Sequence, residues 1–213
     1  MNKEELIGKL SLSVKEGDSE EAASLSKKGL EAGHDPLEIL AVVTSSLKEI
    51  GESFGRDEMF LTELMFCAEA GKTAMAVLNE EIIKQKKEVP YIGRVVIGTV
   101  AGDIHDIGKS LVVAMLTAEG FDVIDLGVDV PDEVFIEKVK ELKPNVLGMS
   151  ALVTYTMYKF SDVIEKLEKA GLRDKVKVIV GGAFVDKDWA DEVGADEVGT
   201  DAIDAISKIK ALL

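Results

Sequence analysis

From residue 1 to about 88 the apolar positions recur every three or four residues, with no strand-like alternation, which is the period of helices that bury one stripe. Four helices follow from that pattern. The first covers roughly residues 3–16 and stops at EGD, and the second starts near Asp18, with Glu21 placed for a capping box, and ends at Gly33. In HDPLEIL, Asp35 supplies an N-cap and Pro36 the first position of a third helix reaching about Phe54. The fourth is expected from about Thr62 to Lys87. Its stretch CAEAGKTAM sets Cys67, Ala70, Gly71 and Ala74 at spacings of three and four, a small-residue stripe that a neighbouring helix can approach closely. Short connections between antiparallel neighbours predict a four-helix bundle.

After KQKKEVPYIG, a charged segment with a proline that reads as a linker, the period changes. RVVIGTV (94–100), DVIDLGV (122–128), NVLGMSALV (145–153), KVKVIVGGA (175–183) and the shorter DEVG (196–199) are β-rich runs. Each is followed by a helical stretch, the first starting at Lys109 and the last running from about Thr200 to Leu213. Runs apolar on both faces and separated by helices predict a parallel sheet covered on both sides. The chain is therefore expected to be α/β: a helical bundle over residues 1–88, then a flavodoxin-like, doubly wound, five-stranded domain over residues 89–213.

Composition narrows the classes of partner. The hydrophobic fraction of 46% and charged fraction of 31% describe an ordinary globular protein. The 25 Lys and Arg against 40 Asp and Glu give a net charge of −15, spread along the chain, with 11 basic and 18 acidic residues up to position 89 and 14 and 22 beyond it. Such a field repels phosphate backbones and anionic lipid, so neither nucleic acid nor a membrane surface is expected as a partner. The start MNKEELIGKL has no cationic segment leading an apolar run, and no apolar stretch approaches the ~18 residues of a membrane span; a cytoplasmic protein is expected. Cys67, the one cysteine, cannot form an internal disulfide, which agrees with a reducing compartment, and its apolar helical setting predicts burial.

The candidate chemistry lies in GTVAGDIHDIGKS, residues 98–110, where His105 is flanked by Asp103 and Asp106. In doubly wound folds ligands bind at the carboxyl ends of the strands, where strand order reverses. GDIHDIG follows the first strand, SALVTYT (150–156) ends the third, and Gly181 and Gly182 end the fourth. His105 is thus expected to face Ser150, Thr154 and Thr156 across the switch point. A zinc site built from protein atoms needs three or four ligands. His34 belongs to the bundle and Cys67 is alone, so a metal at His105 must arrive with most of its ligands attached, and Asp103 then fits the role of accepting the other ring N–H. The same residues also fit plainer roles: a helix-capping histidine, turn hydroxyls and a tight Gly-Gly turn. There is no G-x-x-x-x-G-K-[ST] phosphate loop, since GKS follows the wrong spacing.

DIHDIG is a D-x-H-x-x-G motif, 41 residues separate Gly108 from SAL, and 28 separate Leu152 from the Gly181–Gly182 pair. This set resembles the cobalamin-binding domain shared by cobalamin-dependent methionine synthase, the B12-dependent mutases and the corrinoid proteins of methyl transfer. The first half, notably GESFGRDEMFLTELMFCAEAGKTAM, is similar to the four-helix cap of the methyl-carrying branch, so the resemblance covers nearly the whole chain. It implies cobalamin as cofactor, with corrin supplying four nitrogens to cobalt, and His105 as the lower axial ligand in place of dimethylbenzimidazole. Asp103 would hold the histidine and Thr156, where methionine synthase has serine, would extend the relay. The nucleotide tail would thread past Asp106, Ile107, Gly108, Ser150, Leu152, Thr154, Gly181 and Gly182. Phe60 and Leu61 would cover the upper face, although the helical pattern fits them equally to bundle core, and Thr62 stands where relatives often have proline.

The activity implied is methyl carriage through a Co(I)/methyl-Co(III) cycle, without catalysis by the chain alone. Its partners would be a substrate-specific methyltransferase, an acceptor methyltransferase using coenzyme M or tetrahydrofolate, and a reductive activase, with a hinge around residues 85–93. The alternatives are a cobalamin-binding subunit of a B12-dependent mutase, against which stands the absence of a substrate barrel, and a corrinoid store or sensor. A sensor of the light-reading kind would carry cap tryptophans, and the one tryptophan, Trp189, lies outside the bundle.

Overall fold

The computed structural model describes residues 2–85 and 91–213; the expected linker core at 86–90, with the last two residues of the expected fourth helix, lies outside the described residues. The chain divides into two compact units, residues 1–91 with 114–120, and residues 92–113 with 121–213.

The first unit holds α1 (Lys3–Lys15), α2 (Ser19–Glu31), α3 (Pro36–Gly55) and α4 (Leu61–Lys84). Its helices start where the sequence caps them. Asp18 accepts from the Glu21 N–H, Asp35 accepts from the Leu37 N–H, and Pro36 sits in the first turn of α3, satisfying amides that lack an intrahelical partner. Leu10, Leu25, Val43, Leu47, Leu64 and Leu78 are fully or almost fully buried, and each such burial stabilises by roughly 1.5–3 kcal/mol. The small-residue stripe is buried as well. A Cβ at Gly71 would come within 2.6–2.9 Å of the Leu47 side chain, so glycine there lets α3 and α4 approach. Cys67 is buried, with its Sγ 3.1 Å from the Lys15 carbonyl.

The second unit is built on β1 (Arg94–Thr99), β2 (Asp122–Asp125), β3 (Val146–Ser150), β4 (Lys177–Gly181) and β5 (Glu197–Gly199). All neighbours pair in parallel, in the order β2-β1-β3-β4-β5, which is the flavodoxin-like order with its switch point between β1 and β3. The connecting helices are α5 (Ile107–Ala118), α6 (Asp132–Leu142), α7 (Lys159–Lys169), α8 (Lys187–Val193) and α9 (Ala202–Ala211). Register aligns Ile97 with Gly148 and Ile179 in one row across the sheet, and Thr99 with Ser150, Gly181 and Gly199 two positions further on.

One face of this sheet is solid. Val96, Leu147, Met149, Val178 and Val180 alternate along the strands and join Phe135 of α6, Phe160 and Leu167 of α7 and Ala190 of α8 in one buried cluster. The helix after β1 begins at Ile107, two residues before the expected Lys109, because the Asp106 carbonyl already accepts the Ser110 N–H at 2.7 Å. Gly108 is thereby a first-turn helical residue. Among the described residues no helix is long and apolar enough to cross a membrane.

Candidate functional site

The loop from β1 to α5 is folded around one carboxylate. Asp103 is 1% exposed, and a buried charge persists only where donors replace water. Its Oδ1 accepts the His105 backbone N–H at 3.0 Å and faces His105 Nδ1 at 2.7 Å. Its Oδ2 accepts the Leu152 and Val153 amides at 2.8 and 3.1 Å and lies 3.0 Å from Thr156 Oγ1. The segment after β3 therefore reaches across the switch point to hold the side chain that follows β1. Burial works against the charged form of Asp103, but the His105 and Val153 amides, the His105 ring and the Leu152 amide together outweigh it. The carboxyl is held well below the ordinary carboxylate range.

An ionised Asp103 can only accept, so Nδ1 of His105 carries a hydrogen, and in the neutral imidazole Nε2 then carries the lone pair. The His105 side chain is 54% exposed, and its carbonyl is tied back by the buried Thr99 hydroxyl at 3.0 Å. The result is a ring held in orientation with Nε2 presented outward, the arrangement in which a carboxylate orients a histidine that binds a metal through its other nitrogen. The single Thr156 hydrogen is shared between Asp103 Oδ2 and the Val153 carbonyl, 2.7 Å away.

Beside His105 opens a cavity of about 660 Å³. It lies on the sheet face opposite the solid core, between the strands and helices α5 and α9. Ile97, Gly148, Ser150, Ile179, Gly181 and Gly199 supply its floor at alternate strand positions, and Leu111, Val112, Ala205 and Ile209 its walls. Gly182 has φ 153, and a Cβ there would stand 1.8 Å from the Ala151 carbonyl oxygen, so only glycine fits this crossing of two backbone segments. At Gly108 an added Cβ would meet no protein atom within 4 Å; the fold does not need this glycine, and the space it leaves belongs to the cavity.

Of the residues expected from sequence, His105, Asp106, Ile107, Gly108, Ser150, Leu152, Gly181 and Gly182 all line this cavity. Asp103 and Thr156 stand behind the histidine, buried. Thr154 is exposed in the 3-10 turn Thr154–Thr156 and does not contribute to the lining. In the helical unit Phe60 caps α4 with its N–H donated to Glu63 Oε2 at 2.6 Å, and its ring is 79% exposed, so it is not bundle core; Leu61 is half-buried. Sequence reasoning missed the α9 wall and Lys109. The latter is 4% exposed and bonds both Asp125 carboxylate oxygens at 2.6 Å, which pins the first turn of α5 to the end of β2. The small residues at every second strand position, Gly148 and Ser150 above all, were the available signal for the floor.

A parallel doubly wound sheet, a carboxylate-held histidine at its switch point and a deep apolar slot beside it define a Rossmann-like domain that carries a large cofactor. Residues 93–207 match the family described as B12 binding domain, and residues 6–79 match a second family with the same description. The chain belongs to the B12-binding family, and cobalamin is its cofactor. It is 46% identical to the trimethylamine corrinoid protein of Methanosarcina barkeri over 213 residues, covering 100% of this chain and 98% of the relative. It is 40% identical to a corrinoid protein of Desulfitobacterium hafniense, covering 98% and 97%. Among solved structures, the methanol:cobalamin methyltransferase complex MtaBC of Methanosarcina barkeri matches at 30% identity and TM-score 0.83, over 99% of this chain and 81% of that one. The monomethylamine corrinoid protein of the same organism matches at 36% identity and TM-score 0.54, with 100% of both chains covered.

Proposed function

We propose that the protein is a corrinoid methyl carrier that holds cobalamin with His105 Nε2 on cobalt and the cofactor's own base displaced into the cavity. The observation that carries this is the hydrogen-bonded series Thr156–Asp103–His105, ending in a half-exposed ring at the rim of a slot of about 660 Å³. The residues fit the group. Among the described residues no cluster of three or more His, Cys, Asp or Glu could hold a bare ion, whereas a corrin-bound cobalt needs one protein donor. Gly108 leaves room that no protein atom fills.

Bound cobalamin supplies a cobalt that accepts a methyl group in its Co(I) state and later releases it. The protein's part is positional and electrostatic. Asp103 would fix the tautomer and orientation of the His105 ring that holds the cofactor. Thr156 supports the carboxylate. The apolar walls would keep water from the displaced tail. The methyl source is of the methylamine class, supported by the names of the relatives at 46% identity. A substrate-specific methyltransferase, an acceptor methyltransferase using coenzyme M or tetrahydrofolate, and a reductive activase are the partners, in the cytoplasm; the chain alone is not catalytic.

The test is the visible spectrum of the protein reconstituted with hydroxocobalamin, for wild type and His105→Ala. Wild type is expected to show histidine-ligated, base-off cofactor, and the alanine variant to lose that signature. A wild-type spectrum with dimethylbenzimidazole still on cobalt would refute the assignment of His105.

A further inference from the structure

We infer that Asp129, in the loop after β2, is a positioning residue for the His105 ring; this rests on His105 being the axial donor. Asp103 has its carboxylate fixed from the β3 side, by Leu152, Val153 and Thr156. Its backbone is fixed from the other side by Asp129. The Asp129 N–H donates to the Asp103 carbonyl at 2.9 Å, and Asp129 Oδ1 accepts the Gly102 N–H at 2.7 Å. One residue thus brackets the Gly102–Asp103 dipeptide, holding the amide before it and the carbonyl after it.

Both partners adopt backbone that needs holding. Gly102 has φ 83, and Asp129 itself has φ 51, a left-handed conformation that aspartate tolerates better than most side-chain-bearing residues. That conformation aims the Asp129 amide and carboxylate at the same short segment. The ring of His105 is carried two residues further on, and the direction in which Nε2 points depends on where the Asp103 backbone lies. Gly102, with the widest backbone freedom of any residue, is the weak link, and the Asp129 carboxylate closes it. Asp129 is exposed. Removing its carboxylate leaves no cavity and no buried orphan, so a positional effect separates from a folding effect.

The experiment uses the full-length, cofactor-free protein as wild type, Asp129→Asn and Asp129→Gly. It reads hydrogen exchange of the Gly102 amide, the ring nitrogen resonances of His105, and the urea midpoint. Asn keeps an acceptor and tolerates the left-handed backbone; Gly keeps the backbone and loses the acceptor. Asp129→Gly is expected to speed Gly102 exchange by about tenfold, the factor equivalent to ~1.4 kcal/mol, and to shift the His105 ring from a fixed Nδ1–H form toward a tautomer mixture. Asp129→Asn should resemble wild type, and Asp129→Ala should behave as Gly does with an added strain visible in the urea midpoint.

Faster Gly102 exchange with an unchanged His105 ring would overturn the inference, and so would an equal ring change in Asp129→Asn. After loading with hydroxocobalamin, Asp129→Gly should raise the histidine-off fraction several-fold. A wild type that keeps its dimethylbenzimidazole on cobalt would instead remove the axial-donor assignment and leave the cofactor-free result standing.

Discussion

The two faces of one sheet follow opposite rules. On the face covered by α6, α7 and α8 the alternate strand positions include Val96, Leu147, Met149, Val178 and Val180, and Phe135 and Phe160 join them in one buried cluster. On the face toward α5 and α9 the alternate positions include Gly148, Ser150, Gly181 and Gly199, and a cavity of about 660 Å³ remains. The strand glycines differ from the helical Gly108 at the slot. A Cβ at Gly98, on the solid face, would come within 3.0 Å of the Phe135 ring, so protein occupies that space. Gly108, at the slot, faces none. The first face is filled by protein and the second leaves a cavity; if the cavity takes the cofactor as proposed, each face should be open to perturbation with little effect on the other.

The largest effect is expected on the solid face. Phe135 is fully buried, and Phe135→Ala should destabilise by about 3–5 kcal/mol, read as a lower urea midpoint with unchanged slope. Any of this protein that remains folded should still bind cobalamin with the wild-type spectrum. Loss of binding by the folded fraction would mean that the two faces are not separable.

That division was half legible in the sequence. The period-2 runs and helix caps set the sheet and bundle, because hydrophobic burial and orphan amides act through local pattern. DIHDIG, SAL and the Gly181–Gly182 pair marked one end of the slot. The α9 wall escaped because Ala205 and Ile209 look like any covering helix until the strands beneath them are seen to be short of side chains. The Lys109–Asp125 pair and the Asp129 bracket escaped for another reason: each joins residues 16 to 27 positions apart, and charge on a loop or strand end ordinarily reads as solvated surface. Thr156 was legible as a hydroxyl near the site, but the two amides beside it, from Leu152 and Val153, carry no side-chain signature at all.

An intermediate effect is expected at Asp103, which brings a buried charge to the slot with the completeness of a core. Its folded pKa lies below its unfolded value of ~3.9. It therefore contributes stability that is present above that pH and is lost as pH falls through the folded value. Asp103→Asn should cost about 1–3 kcal/mol at neutral pH, since the amide oxygen still meets Leu152 and Val153 but the charge opposite the His105 ring is gone. The difference from wild type should shrink as pH drops below about 4. A difference that stays constant between pH 7 and pH 3 would show that the lost contribution is not the carboxylate charge.

The smallest effect on stability should have the opposite sign. Gly108 is helical, its φ is not left-handed, and nothing stands within 4 Å of the place a Cβ would take. Gly108→Ala should therefore stabilise the cofactor-free protein by ~0.5 kcal/mol, part of the glycine-to-alanine difference in a helix. The same methyl intrudes on the slot beside His105, so cobalamin affinity should fall by about tenfold, equivalent to ~1.4 kcal/mol. Gly108→Leu, whose side chain extends further into the slot, should remove binding while the chain still folds. A gain in stability paired with a loss of binding would place Gly108 among residues kept for the ligand at the expense of the fold. A gain in stability with unchanged affinity would mean that the bound cofactor passes Gly108 at a distance, leaving the space between them to water.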